Sequence, residues 1–193
     1  MTGWIILALV IIAIAVSVGI YNNLVNKRNE YKNAFAQIDV QLTRRYDLIP
    51  NLVEVARKYL QHEQETLTSV IAARNHAANA LKNTGGGTAG IGELAAAEQA
   101  LGARLGGLYA TFENYPELKA DNQLAALREE IASTENRIAF ARQYYNDRDA
   151  ERADAVQQFP ANIIAGIFAF RANSLLEIDD IDTKRAPVQV KFD

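Results

Sequence analysis

The chain has 193 residues, of which 49% are hydrophobic and 22% are charged, and its formal net charge is −3. This length is enough for one folded domain with a substantial core, and the richness in Ala, Leu, Glu, Gln and Arg is typical of a helical protein. Because the chain contains no cysteine, disulfides, thiolate catalysis and cysteine-ligated metal centres are excluded. The acidic balance argues against general nucleic-acid binding.

The N-terminal segment is an uncharged apolar run from Gly3 to Tyr21. As a helix it spans about 28 Å, close to the hydrocarbon thickness of a bilayer, and Trp4 and Tyr21 lie near its ends, where aromatic rings settle at the headgroup level. A cleaved signal peptide is the alternative, but the run lacks a charged n-region and exceeds the usual length of the apolar part. We therefore predict that residues 1–21 form an anchor that spans the membrane over about residues 3–21.

Three basic residues follow the anchor closely, namely Lys27, Arg28 and Lys32, whereas no Lys or Arg precedes it. By the positive-inside rule this asymmetry predicts a single-pass protein with its N-terminus outside and its body in the cytoplasm. Each side chain is expected to gain about 1 kcal/mol from anionic headgroups. With Trp4 and Tyr21, these residues are the predicted membrane interface, and the lipid bilayer is the first predicted partner.

The body begins with a helix that continues from the anchor without a break. Its apolar residues recur at spacings of seven, four, three and four between Leu24 and Leu42, which is the pattern of a helix with one buried stripe.

The stretch RRYDLIPNL, residues 44–52, is interpreted as the corner between this helix and the next. Arg44 and Arg45 would end the first helix, where cations are favoured, while Asp47 would cap the second helix and Pro50 would lie in its first turn. The alternative is a kink at Pro50 within one continuous helix, because the apolar register carries across it.

Three further amphipathic patterns predict helices. The second helix runs from Ile49 to Leu81 and ends at the glycine-rich loop 84–92, the third extends from Leu94 to Phe112, and the fourth keeps four-three spacing from Ala120 to Tyr145. Because short connections favour antiparallel neighbours, the predicted fold is all-α: a transmembrane helix continuous with an antiparallel up-and-down bundle of long helices over residues 22–173.

The C-terminal part is less regular. The polar stretch 146–155 either extends the fourth helix or forms a short turn, and the pattern does not decide between them. Pro160 fits the first turn of a short apolar helix over 160–170. Residues 174–193 are predicted to be an acidic, irregular tail.

The sequence contains no convincing catalytic or metal-binding motif. Gly85 to Gly90 match G-x-G-x-x-G, but a helix precedes them where a dinucleotide site needs a strand. His62 and His76 lack the spacing of metal-ligand pairs, and the acidic run 177–182 lacks the spacing of a calcium loop. No enzyme activity, cofactor, metal or small-molecule substrate is therefore predicted.

Several stretches resemble the LemA family. They are YNNLVNKRNEYKNAFAQIDVQLTRRYDLIPNLVEVARKYLQHEQETLTSVIAAR, FENYPELKADNQLAALREEIASTENRIAFARQYYN and FPANIIAGIFAF. The resemblance covers most of the chain, from the anchor to about residue 170, and implies a bacterial plasma-membrane protein with one N-terminal span and a long-helix bundle. It implies no reaction, and relatives have been linked to shaping intracellular membranes. The chain departs from the family pattern after Asn146, where a second Tyr-Asn pair is usual.

Together these observations predict a non-enzymatic, membrane-anchored scaffold that self-associates or organises partner proteins or membrane. The alternative is a regulatory adaptor that presents partners to a membrane protease or signalling complex. A third possibility, an ion-dependent enzyme that uses the acidic tail, has no nucleophile or ligand spacing to support it. Arg44, Arg45 and Asp47 are the candidate contacts with a partner at the far tip of the body.

Overall fold

The structure, a computed structural model, describes residues 1–85 and 90–170. Over these ranges the chain forms helices and no strand, which confirms the all-α prediction. The helices are α1 (Thr2–Arg57), α2 (Gln64–Asn83), α3 (Ile91–Phe112), α4 (Pro116–Lys119), α5 (Asn122–Gln157) and α6 (Ala161–Ile167). The predicted tail 174–193, with its acidic run, lies outside the described residues.

Helix α1 joins the N-terminal apolar segment, the predicted anchor, to the body without interruption. It is long and apolar enough near its N-terminus to cross a membrane, and none of its apolar window is buried inside the structure. Burial begins at Leu24, three residues after the apolar run ends at Tyr21. A shared helix leaves no flexible joint between the N-terminal apolar segment and the bundle.

The body is a four-helix bundle of α1, α2, α3 and α5. Residue pairs along α1 and α5 run in opposite directions, because Tyr31 contacts Tyr145 whereas Arg44 pairs with Glu130. Helix α2 also runs against α1, and α3 returns parallel to it. The up-and-down prediction is therefore confirmed.

The predicted apolar stripes form the core. The buried side chains include Leu24, Tyr31, Phe35, Ile38 and Leu42 of α1, Leu67, Val70 and Leu81 of α2, Leu94, Leu101, Leu105, Leu108 and Phe112 of α3, and Leu124, Ile131, Ile138 and Tyr145 of α5. All of these but Leu24 belong to one continuous cluster along the bundle axis. Helical periodicity located this core because each stripe places its residues on one helix face.

The predicted corner at residues 44–52 was wrong, and the alternative of one continuous helix through Pro50 is correct. Arg44 and Arg45 lie inside α1 rather than at its end, and Asp47 caps no helix. Proline removes the N–H that would bond to the carbonyl of Tyr46, four residues earlier. Arg74 of α2 replaces that donor, because its Nε donates to the Tyr46 oxygen at 2.8 Å, and this interaction accommodates the proline.

Helix α1 ends at Arg57 instead, in a stretch with no glycine or proline nearby to mark a boundary. The turn is closed by backbone bonds from Tyr59 and Leu60 to the carbonyl of Ala56. Leu60 is fully buried, and the Tyr59 hydroxyl donates to Asp121 at 2.9 Å. Tertiary contacts therefore determine where the chain reverses.

Helix α5 corresponds to the predicted fourth helix and continues to Gln157. The polar stretch after Asn146 therefore extends this helix and does not form a turn. Asp121 caps its N-terminus by accepting a hydrogen bond from the Leu124 backbone N–H at 3.0 Å. The predicted short apolar helix exists as α6, which packs against both α1 and α5.

Candidate interaction surfaces and a buried polar cluster

The three residues predicted to contact a partner lie in different environments. The side chain of Arg44 is 56% exposed and pairs with Glu130 of α5. Asp47 is exposed and lies 3.5 Å from Arg74 of α2. Arg45, in contrast, is buried, because the turn of α1 that exposes one arginine directs the next into the bundle. None of them lies at the far tip, since α1 continues about 20 Å beyond Arg44.

Arg45 forms the centre of a buried polar cluster with Glu98 of α3. Its Nη2 donates to Glu98 Oε2, while the Tyr46 hydroxyl donates to Glu98 Oε1 at 2.6 Å. Arg142 of α5 lies 3.4 Å from the same carboxylate, and Glu135 lies 3.9 Å from Arg45. The cluster therefore connects α1, α3 and α5 through charged groups in the interior.

Burial and the neighbouring Glu98 carboxylate raise the pKa of Tyr46. The phenol consequently remains protonated and acts as a hydrogen-bond donor. The buried Glu98 carboxylate is contacted by three donors, and removing Arg45 would leave its charge with only the more distant Arg142 cation. These contacts join α1, α3 and α5 at one level of the bundle and so restrict how the three helices can slide along one another.

A second polar group lies closer to the anchor and was not foreseen. Asp149 and Arg152 of α5 are buried and joined by a 2.7 Å hydrogen bond. The guanidinium lies 4.5 Å from the ring centroid of Tyr31, whose hydroxyl accepts from Tyr145 at 2.8 Å. The heptad pattern ended at Tyr145, so it carried no signal for these residues. Glu98 did carry one, because it lies within the apolar stripe of α3.

The predicted interface residues lie at the two ends of the N-terminal apolar run. Trp4 is exposed at the N-terminal end, and Arg28 and Lys32 are exposed on α1. Lys27 instead bonds to Glu151 of α5 at 2.6 Å, which directs its ammonium group to another helix. That bond and the Glu151 charge raise the pKa of Lys27.

Tyr21 has partners in the C-terminal part of the described chain. Its ring makes edge contacts with Phe168 and Phe170, with centroids 4.8 and 5.7 Å apart. These contacts hold the end of α6 against the end of the apolar run.

An apolar groove runs between α1 and α5 on the outer surface of the bundle. Its most exposed large side chains are Val40, Phe140 and Tyr144, with Phe140 73% exposed. Gln37 and Arg137 provide a polar margin. Because exposed apolar side chains that lie together on a surface are a common feature of interaction sites, this groove is a candidate interaction surface.

No cluster of metal-ligating side chains appears within residues 1–85 and 90–170. In that part of the chain, no three His, Cys, Asp or Glu side chains lie together in a manner that would hold an ion. His62 and His76 are both exposed.

Comparison with known proteins identifies the family of the chain. No curated protein matches the chain. The model of the LemA family matches residues 34–192, which is more than half of the chain and reaches into every helix of the bundle. The chain therefore belongs to the LemA family.

Proposed function

We propose that the protein is a non-enzymatic helical scaffold, anchored in the bacterial plasma membrane by residues 3–21, whose cytoplasmic body associates with further copies of itself. The observation that carries this proposal is the exposed groove of Val40, Phe140 and Tyr144 on a bundle that shares one helix with the anchor.

The position of the groove favours a protein rather than lipid as its occupant. Val40 lies 19 residues after Tyr21 on the same helix, about 28 Å further along its axis. When the rod stands upright, bilayer lipids do not reach that height. The apolar side chains would then stay in water unless another protein covers them.

Membrane anchoring favours a second copy as that protein. Chains anchored in one bilayer share their orientation, so a rotation about the membrane normal brings the groove of one chain onto the groove of another. Such an isologous contact needs only one self-complementary patch. Insertion of Phe140 between α1 and α5 of the partner would resemble the interdigitation of coiled coils.

The proposal is tested by placing a charge in the groove. We expect Phe140→Glu to weaken dimerisation of the detergent-solubilised protein at least tenfold, because each copy would bury an unpaired carboxylate. Ala100→Glu is the matched control, since it adds the same charge at an exposed position on α3. Analytical ultracentrifugation measures the affinity, and crosslinking in intact membranes identifies the neighbours.

A wild-type protein that stays monomeric at micromolar concentration and yields no crosslinked neighbour would contradict the scaffold. If crosslinking captures only a different protein, and Phe140→Glu abolishes that capture, self-association is wrong and the adaptor becomes the better function.

A further inference from the structure

Helix α6 lies where the bundle meets the anchor. Its C-terminal end is held there by the edge contacts between Tyr21 and the rings of Phe168 and Phe170. Because Tyr21 ends the apolar run, the C-terminal end of α6 lies at the level where that run would leave the hydrocarbon.

One face of α6 is covered by the protein and the other is bare. Ala165 is 2% exposed and faces α1 and α5. Ile163 and Ile167, one helical turn apart, are 54% and 69% exposed, and Phe159 and Phe168, which flank the helix, are 80% and 56% exposed. Four large apolar side chains thus project from a segment of about ten residues.

The segment is also free of charge. Residues 155–170 contain no Asp, Glu, Lys, Arg or His, so placing them at the lipid boundary desolvates no ionised group. Segments that lie in the plane of a membrane bury an apolar face about 5–10 Å into the boundary between headgroups and acyl chains. The exposed isoleucines and phenylalanines have the size and position for that depth.

We propose that the bare face of α6 inserts into the surface of the same bilayer that α1 crosses, so that the protein contacts lipid through two separate segments. This inference rests on the membrane anchor of the proposed function. The anchor alone allows the bundle to tilt and rotate, whereas a second contact beside it fixes which face of the bundle points away from the membrane. The groove of Val40 and Phe140 would then have a defined orientation relative to neighbouring chains.

Single-cysteine labelling tests the insertion in the full chain, which has no native cysteine. Ile163→Cys and Ile167→Cys each carry an environment-sensitive fluorophore. The proteins are placed in proteoliposomes of phosphatidylethanolamine and phosphatidylglycerol that contain lipid with the spin label at a shallow or at a deep position. Leu9→Cys reports on the anchor, and Ala100→Cys, exposed on α3, reports on a position far from the lipid. We expect at least twofold stronger lipid quenching at 163 and 167 than at 100.

The outcomes separate the two proposals. If lipid quenches the probe at position 9 but the α6 probes behave like the probe at position 100, the insertion is overturned and the anchor stands. An unquenched probe at position 9 overturns the anchor and the insertion together. Iodide added to the aqueous phase measures the exposure of the same probes to water. If the α6 probes are shielded from iodide but are not quenched by lipid, another protein covers the face, which also overturns the insertion.

Intrinsic tryptophan fluorescence tests the same insertion without an attached fluorophore. Trp4 is the only tryptophan, so Phe159→Trp in a Trp4→Phe background gives a single emitter at the start of the bare face. We expect brominated lipid to quench it and its emission to shift to shorter wavelength. Emission typical of water, with no quenching, would overturn the insertion.

Discussion

Arg74 on α2 donates to the backbone oxygen of Tyr46 on α1, with 2.8 Å between Nε and the oxygen. The carbonyl is free because Pro50, four residues later, has no N–H to offer it. The same guanidinium lies 3.5 Å from Asp47. A proline that would ordinarily weaken a helix interior has thus become the place where a neighbouring helix docks.

A double-mutant cycle between Arg74 and Pro50 tests this relationship. We expect Arg74→Met to lower the free energy of unfolding by about 1–2 kcal/mol, because a carbonyl loses its donor. In a Pro50→Ala background the loss should be smaller by about 1 kcal/mol, since the introduced alanine restores the helix N–H. Urea unfolding of the solubilised protein measures all four variants. Equal losses in both backgrounds would contradict the replacement of the helix donor by Arg74.

Arg44 and Arg45 are adjacent, but only Arg45 belongs to the buried cluster, so the same substitution at Arg44 is the control for one at Arg45. We expect Arg45→Met to reduce the free energy of unfolding by about 3 kcal/mol, because Glu98 would remain buried without its closest cation. Arg44→Met should change it by less than about 1 kcal/mol, since its pair with Glu130 is exposed to solvent. Chemical denaturation followed by circular dichroism compares the two. Similar values for both arginines would contradict the burial of Arg45.

Acid should weaken the contact between α1 and α5 near the anchor. The hydrogen bond from Lys27 lowers the pKa of Glu151 below its ordinary value of 4.5. A carboxyl whose pKa is lower in the folded state stabilises that state above its unfolded pKa, and the stabilisation is lost as the pH falls through the folded pKa. Stability should therefore decline below about pH 4.5.

Glu151→Gln should flatten that acid dependence, because the amide does not titrate. Unfolding midpoints recorded from neutral pH to below 4.5 measure it, and Glu129→Gln, at an exposed position on the same helix, serves as control. An unchanged acid dependence in Glu151→Gln would show that other carboxylates account for it.

The orientation in the membrane is tested by single cysteines at opposite ends of α1. Gln61→Cys lies in the exposed turn after α1, and Thr2→Cys lies at its start. With the body in the cytoplasm, we expect an impermeant maleimide to label Thr2→Cys in intact cells and to label Gln61→Cys only after lysis. Labelling of Gln61→Cys in intact cells would reverse the predicted topology.

Periodicity predicted the apolar run, the four long amphipathic segments and nearly all of the core, since these depend on which residue types recur on one helix face. Leu101, Leu105 and Tyr145 are buried where their spacing placed them. The route of the chain between segments is a different matter. Pro50 by itself indicates a corner, because an isolated helix has no donor to replace its missing N–H.

Only the tertiary structure supplied Arg74 as that donor, and only it placed the true reversal at Tyr59 and Leu60, where a buried leucine and a bond to Asp121 close the turn. The same holds for Arg44 and Arg45, which are adjacent and chemically identical in sequence. Their environments differ because consecutive residues on a helix point about 100° apart. The position of Glu98 on another helix then makes one arginine part of the core and leaves the other at the surface.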